Sequence, residues 1–234
     1  MASLPQTQEP GQARGRRVRR ASGDERESAI LETAEALLES QPFHEISIDD
    51  LARGAGISRS TFYFYFPSKE AVLLTLLDGV IAHADAGHDR AKAMLENNPA
   101  AFLRDSINAY VTSFGSHRAV TLAGAEAHAT NPEVRKLWNQ VREGWVQEAA
   151  SAIAAERDRG AAPPGPPARD LAIALIQMNE GVLRATFAGD EPAVDEDDLI
   201  DVLHSIWLNA VYGHVPPAPL AETAPALRPE LIER

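Results

Sequence analysis

Residues 47–70 read SIDDLARGAGISRSTFYFYFPSKE, and this stretch sets the architecture of the N-terminal part of the chain. Ser47 is a favourable N-cap and Asp50 suits the positive end of a helix, so a short helix begins here and ends in the Gly-Ala-Gly segment. Ser58 caps a second short helix, and Pro67 ends it because proline disfavours helical geometry in the residue before it. Two short helices joined by a glycine turn predict a helix-turn-helix.

The second of these helices carries five consecutive aromatic residues, at positions 62–66. Phe62 and Phe66 are four residues apart, so they share one helical face and are expected in the domain core. An ordinary helical hairpin would place all the rings in the core, but five rings are more than two helical turns can bury on one face. Arg59 and Tyr63 share a different face, which offers a positive charge and a phenol to the bases or phosphates of DNA.

The segment also resembles a known signature. The run SRSTFYFYF, followed by PSKEA, resembles the TetR family of bacterial regulators over residues 24–80. The resemblance implies an all-α, nine-helix fold that forms a homodimer. Each subunit would have an N-terminal three-helix helix-turn-helix domain that binds double-stranded operator DNA, and a C-terminal helical domain for ligand binding and dimerisation.

The same resemblance predicts the residues at the DNA. It assigns Arg59, Ser60 and Thr61 to bases or backbone. It assigns Tyr63, Tyr65 and Lys69 mainly to phosphates, and Lys69 also begins the next helix, where free amides attract an anion. Ser47 completes the predicted DNA-binding set.

Composition narrows the remaining classes of protein. The chain has 234 residues, a net charge of −12 and no cysteine, which excludes disulfide scaffolds and thiolate metal sites. No run of about 18 apolar residues exists, so we expect no contact with a membrane and a cytoplasmic protein. Five arginines between positions 14 and 20 predict an arm that reaches phosphates or a minor groove, although a tail that only aids solubility fits them equally well.

Helical spacing of apolar residues, together with the composition of the two ends, predicts four regions along the chain. They are a basic disordered arm (1–21), the helix-turn-helix domain (22–67), the ligand-binding and dimerisation domain (68–212) and a proline-rich, disordered tail (213–234). Besides the two short helices, helices are expected near 24–40, 68–96, 100–114, 117–128, 131–158, 168–188 and 195–212.

Aromatic residues of the second domain suggest a ligand cavity. Core packing is the simpler interpretation of these rings, and of Asn179 as a buried amide, in a generic helical bundle. A narrower resemblance, to one subgroup of the TetR family, extends to Gly213 and implies a long, mostly apolar channel with an asparagine as polar anchor. It would accept a small hydrophobic effector. The predicted lining residues are Leu103, Tyr110, Phe114, Trp138, Trp145, Asn179 and Trp207.

Three residues depart from that subgroup: Leu103, Ile176 and Arg184 stand where it carries larger or more polar groups. Arg184 brings a charge either near the pocket or to solvent. If the kinship is close, the regulated gene would encode a flavin-dependent monooxygenase of the Baeyer–Villiger type.

The last two helices are expected to form the dimer interface. The final one carries an apolar stripe that is wider than a single surface helix needs. Burial within the subunit alone is the alternative explanation. The stripe consists of Leu199, Val202, Leu203, Ile206, Ala210 and Val211.

Other functions remain open at this stage. Seven histidines are scattered without the spacing of a helical metal pair, and no nucleophile motif or phosphate loop is present, so an enzyme is disfavoured and no cofactor or metal is expected. A pure ligand carrier, a structural DNA-binding protein and a ligand-dependent activator are the remaining alternatives to a repressor released by its effector.

Overall fold

The computed structural model of the chain describes residues 23–92 and 98–213. Within these two ranges the chain forms nine α-helices and no strand, as the sequence predicted. The helices are α1 (Gly23–Leu38), α2 (Ile48–Gly54), α3 (Arg59–Tyr65), α4 (Lys69–Ala91), α5 (Pro99–Ser116), α6 (Arg118–Thr130), α7 (Pro132–Asp158), α8 (Ala168–Ala188) and α9 (Leu199–Tyr212). Short 3-10 helices occupy Phe43–Glu45 and Glu196–Asp198.

The predicted helix limits agree with these bounds to within a few residues. The largest difference is at the last helix, whose predicted start at residue 195 falls in a loop and a 3-10 helix before α9. The basic arm, the proline-rich tail after Gly213 and the predicted end of α4 at Glu96 lie outside the described residues. No helix within the described ranges is both long enough and apolar enough to span a membrane.

Helices α1, α2 and α3 pack around a small core that includes the start of α4. Phe62 is fully buried there and Phe66 is 5 % exposed, which confirms the predicted inward face of α3. Helices α1 and α2 approach so closely at Gly54 that a Cβ atom there would lie 2.2 Å from Thr33 Cγ2. Gly56 has a φ of +65°, which favours glycine in the turn of the helix-turn-helix.

A second and larger core lies among α4 to α9. Helix α4 belongs to both cores, because Val72 packs in the first cluster and Leu73 and Leu77 pack in the second. Leu38 and Leu76 are partly buried against both clusters. The two domains are therefore joined by a shared rigid helix rather than by a linker.

The apolar stripe of α9 serves two surfaces instead of one. Leu199, Leu203 and Val211 are buried inside the subunit, which is the alternative explanation for this part of the stripe. Val202 and Ala210 are only partly buried, and Ile206 is 38 % exposed. The outer flank of the stripe is thus the part that a second subunit could cover.

Candidate nucleic-acid interface and ligand cavity

Two N-caps fix the helix-turn-helix. Ser47 Oγ accepts a hydrogen bond from the Asp50 backbone N–H at 3.2 Å, and Asp50 Oδ2 accepts from the Ser47 N–H at 3.1 Å. Ser47 Oγ also donates to Asp50 Oδ2 at 2.5 Å, and this bond, followed by the one from the Ser47 N–H, lowers the pKa of Asp50. Ser58 Oγ accepts from the Thr61 N–H at 3.1 Å and lies 2.8 Å from Thr61 Oγ1. The hydroxyls of Ser47 and Ser58 therefore cap the two helices, and the Thr61 hydroxyl already contacts Ser58.

Arg59 is held in place on the exposed face of α3. Its guanidinium donates to Asp49 Oδ2 at 2.8 Å and to Tyr63 Oη at 3.4 Å. The hydrogen bond with Tyr63 and the charge of Asp49 both raise the pKa of Arg59. Its side chain is 55 % exposed and Tyr63 is 47 % exposed, so a cation and a phenol stand together at the surface, as predicted from their spacing.

Phe64 is the functional candidate that the sequence reasoning did not single out. It is 84 % exposed, the largest exposure among the large apolar side chains of the described residues. It lies two residues after the fully buried Phe62, and a shift of two residues turns a helical side chain to nearly the opposite face. The excess of rings in the sequence was the available signal, and the position of Phe62 identifies which ring must face outward. Phe64 shares the outward face with Ser60, which is also exposed.

Lys69 does not occupy the position expected of a phosphate-binding lysine. Its ammonium donates to the carbonyl oxygens of Phe43, His44 and Ile46, at 2.9, 3.1 and 2.8 Å. The same ammonium lies 4.8 Å from the centre of the Phe43 ring. An ammonium has three N–H donors, and here all three have backbone acceptors. In this structure Lys69 therefore fixes the segment before α2, and Tyr65 is likewise partly buried against the core.

A cavity of about 150 Å³ lies in the second domain, enclosed by residues of α4, α5, α7, α8 and α9. Its walls are mostly apolar, as expected for a small-molecule site. Five of the seven predicted lining residues surround it: Leu103, Tyr110, Trp145, Asn179 and Trp207.

Asn179 is fixed by a second lining residue. Trp207 Nε1 donates to Asn179 Oδ1 at 3.0 Å, and since an indole N–H can only donate, the atom that faces it must be the amide oxygen. The Asn179 side chain therefore has its amide N–H groups left for a ligand.

Phe114 and Trp138 do not line this first cavity, and their part in ligand binding stays a prediction. Both line a second cavity of about 390 Å³, together with Arg142 and Arg184. A cluster of rings separates the two spaces: Trp145 contacts Tyr110, Phe114 and Trp138 edge-to-face, with centroids 5.7, 6.3 and 6.2 Å apart.

The two arginines of the second cavity each have a carboxylate partner. Arg142 Nε donates to Glu180 Oε1 at 2.9 Å, and Arg184 donates to Asp190 Oδ2 at 3.0 Å. Arg184 thus stands at the second cavity rather than at the first. Burial raises the pKa of Tyr110, which lines both cavities, so its hydroxyl stays protonated.

Two histidine–carboxylate contacts connect the first domain to α6 and to the residue before it. His117 Nδ1 lies 2.5 Å from Glu35 Oε1 of α1, and His44 Nδ1 lies 2.8 Å from Glu126 Oε1. Together with the continuous helix α4, these contacts tie the position of the helix-turn-helix to the helices around the cavities.

Comparisons with known proteins agree with this arrangement. Residues 30–76 match the family model for bacterial regulatory proteins of the tetR family, and residues 103–213 match the model for the C-terminal domain of the transcriptional regulator EthR. The chain is 55 % identical over 217 residues to the HTH-type transcriptional regulator EthR of Mycobacterium tuberculosis, covering 91 % of this chain and 95 % of the relative. It is 49 % identical to EthR of Mycolicibacterium smegmatis, covering 92 % and 98 %.

Solved structures show the same fold at low sequence identity. A TetR-family regulator from Syntrophomonas wolfei superposes with a TM-score of 0.69 at 15 % identity, covering 84 % of this chain and all of that one. The relatives and the fold neighbours named here are regulators and not enzymes.

Proposed function

Because the chain belongs to the TetR family of DNA-binding transcriptional repressors, and within it to the EthR-like regulators, we propose that it represses its target by binding an operator as a homodimer and that a small hydrophobic ligand releases it. The observation that carries the proposal is a single helix, α4, which begins at the helix-turn-helix and lines the apolar cavity with Ala84, Asp85 and His88. A change in the cavity can therefore move the DNA-binding helices.

The exposed face of α3 is the proposed reading surface. Arg59 would contact a guanine edge, with Ser60 and Thr61 meeting bases or backbone beside it and Tyr63 a phosphate. We extend the set to Phe64, whose exposed ring can pack on the 5-methyl group of a thymine. Contacts by Ser47 and Tyr65 remain part of the proposal, although both side chains also serve the fold.

Replacing Phe64 by alanine is expected to weaken operator binding by about 1 kcal/mol, the contribution of a small apolar contact. Binding should be measured on the operator and on a copy in which deoxyuridine replaces thymidine, which removes only the methyl groups. The wild-type protein should prefer the methylated DNA, and the variant should not. Equal preference in the two proteins would assign the ring no role in reading. Stability should not fall, because the ring is 84 % exposed.

The proposed dimer interface combines α8 with the outer flank of α9, formed by Val202, Ile206 and Ala210. A helix-turn-helix protein that reads paired half-sites needs two copies, and their spacing must match about one turn of DNA. Sedimentation of the full chain should give a dimer, and a monomer at micromolar concentration would contradict the proposal.

Release by the ligand sets an energetic requirement. The two helix-turn-helix domains of the dimer stand either at a spacing that fits DNA or at one that does not. To shift the populations of these two states from 1:99 to 99:1, a ligand must bind the DNA-incompetent state more tightly by about 5.5 kcal/mol. A titration with a hydrophobic ester or amide should change tryptophan fluorescence and dissociate the operator over the same concentration range. A ligand that binds and leaves the operator complex intact would refute release, and a rise in transcription on operator binding would favour the activator.

Replacing Asn179 by leucine is expected to weaken a ligand that carries a carbonyl group by about 1 kcal/mol, because its hydrogen bond to the amide is lost. The affinity for a hydrocarbon ligand of the same length should change little. Asn108→Leu on α5, where the side chain is exposed and outside both cavities, is the matched control. If both ligands keep their affinity in the Asn179 variant, the amide is a core group and no anchor.

The proposed target is the gene of a flavin-dependent monooxygenase next to the regulator's own gene, as the sequence resemblance implies. A footprint of the region between the two genes tests this point separately from ligand release. Protection by the protein and loss of protection on adding ligand are the expected results.

A further inference from the structure

The first cavity is mostly apolar, but its lining includes acidic side chains. Asp85, Glu148 and Glu156 are among its lining residues, whereas none of those residues is a lysine or an arginine. Histidine 88 is the only basic group in the lining. The electrostatic potential in such a site favours a positive ligand, provided that the carboxylates are not already neutralised.

Two of the three carboxylates are neutralised by neighbours. Glu148 pairs with Lys92, which also donates to Asp89 at 2.8 Å. The hydrogen bonds to Asp89 and Glu148 raise the pKa of Lys92 to about 12, so its charge persists. Glu156 is buried and accepts from Arg159 at 2.7 Å and from Tyr212 at 2.9 Å.

Asp85 is different. Its Oδ1 accepts the indole N–H of Trp145 at 2.9 Å. Among the described residues no lysine, arginine or histidine nitrogen lies within 4 Å of its carboxylate. This exposed carboxylate thus lies beside the Trp145 indole at the edge of an apolar cavity.

A second polar atom lies one helical turn further along α4. His88 Nε2 is buried without a hydrogen-bond partner, and it lies 3.3 Å from Glu148 Oε1 without hydrogen-bond geometry. His88 Nδ1 lies 3.0 Å from Ser106 Oγ. In the tautomer in which Nδ1–H donates to Ser106, Nε2 presents a lone pair. Buried atoms of this kind need a partner, and a ligand N–H would provide it.

We propose that the effector is a hydrophobic amine, whose ammonium binds at Asp85 and His88 while its apolar body fills the cavity toward Asn179 and Trp207. The proposal rests on the ligand-binding function proposed above for the same cavity. The carboxylate attracts the ammonium directly. A neutral ligand gains no such attraction, and an anion is repelled.

Three probes with one apolar body test the charge preference: 6-phenylhexylamine, 6-phenylhexanol and 6-phenylhexanoate, each titrated at pH 7 into the full chain. Dissociation constants come from tryptophan fluorescence, and operator release is followed in parallel. We expect the amine to bind about fivefold more tightly than the alcohol, because the ion pair is partly exposed, and the acid to bind most weakly.

Asp85→Asn separates the charge from the shape of the residue. Its amide oxygen can still accept the Trp145 N–H, so the fold should persist, and thermal unfolding checks this. The amine should fall to the affinity of the alcohol, while the affinity for the alcohol stays within about twofold. Asp78→Asn removes the same charge from an exposed position of α4 outside the cavity lining and should keep the preference.

The outcomes separate this inference from the function on which it rests. If the alcohol binds as tightly as the amine and releases the operator, only the charge preference is wrong. If Asp85→Asn weakens both ligands equally, Asp85 serves only to hold Trp145. If none of the three probes binds to a protein that still binds its operator, the ligand-binding function of the cavity fails as well.

Discussion

Replacing Lys69 by methionine is expected to lower the free energy of unfolding by about 3 kcal/mol. Methionine keeps most of the aliphatic length and removes the ammonium, so the carbonyl groups of Phe43, His44 and Ile46 lose their donor together. Hydrogen bonds from a charged donor contribute more than neutral ones, and the three bonds act on a single segment. Chemical denaturation followed by circular dichroism measures the loss.

The same variant distinguishes two roles of Lys69, which are holding the segment before α2 and neutralising a DNA phosphate. A lysine that neutralises a phosphate contributes about 0.9 to the slope of log affinity against log salt. Because the ammonium is turned inward, Lys69→Met should leave that slope nearly unchanged in the protein that remains folded. The exposed Lys136, replaced in the same way, is the matched control and should leave stability unchanged. A lower slope with unchanged stability would restore the phosphate contact.

Replacing Arg59 by alanine is expected to cost 1–3 kcal/mol of binding to the operator and much less on scrambled DNA, if the guanidinium makes a bidentate contact with a guanine. Asp49 and Tyr63 orient the guanidinium before DNA arrives, so little side-chain entropy remains to be lost on binding. Isotherms on both DNAs across a range of salt concentrations measure the effect.

Arg53 provides the control for Arg59. It lies on α2 with its side chain 77 % exposed and also pairs with an aspartate, at 3.4 Å from Asp50. Arg53→Ala should change the affinity for the operator and for scrambled DNA to the same extent, since a charge that only approaches phosphates carries no sequence information. Loss of affinity by Arg59→Ala on both DNAs to the same extent would place Arg59 at the backbone as well.

The local patterns of the sequence predicted the helices well. Ser47, Ser58 and Asn131 each cap the helix that was expected after them, because a cap depends on a few neighbouring residues. The inward face of α3 was also predictable, since the spacing of Phe62 and Phe66 admits one common face. These features need no knowledge of distant parts of the chain.

The features that the sequence did not predict involve groups whose partners are distant in sequence. The acceptors of Lys69 lie 23 to 26 residues before it, so no local pattern identifies them. The resemblance gave Phe114 and Trp138 as lining residues together with the other rings, but it does not say which cavity each ring meets. Tertiary packing likewise decides how the stripe of α9 is divided between the subunit core and its outer flank.

The sharing of α4 between two cores has a consequence for engineering the protein. A fragment that ends at residue 67 would lack Val72, which is 1 % exposed in the first core. It should therefore fold poorly as an isolated DNA-binding domain. A hybrid regulator that exchanges DNA-binding domains with a relative would have to be joined within α4, after Val72, so that Val72 stays with the first core and Leu73 and Leu77 stay with the second. The DNA-binding unit of such a protein therefore extends one or two helical turns beyond the end of the helix-turn-helix motif.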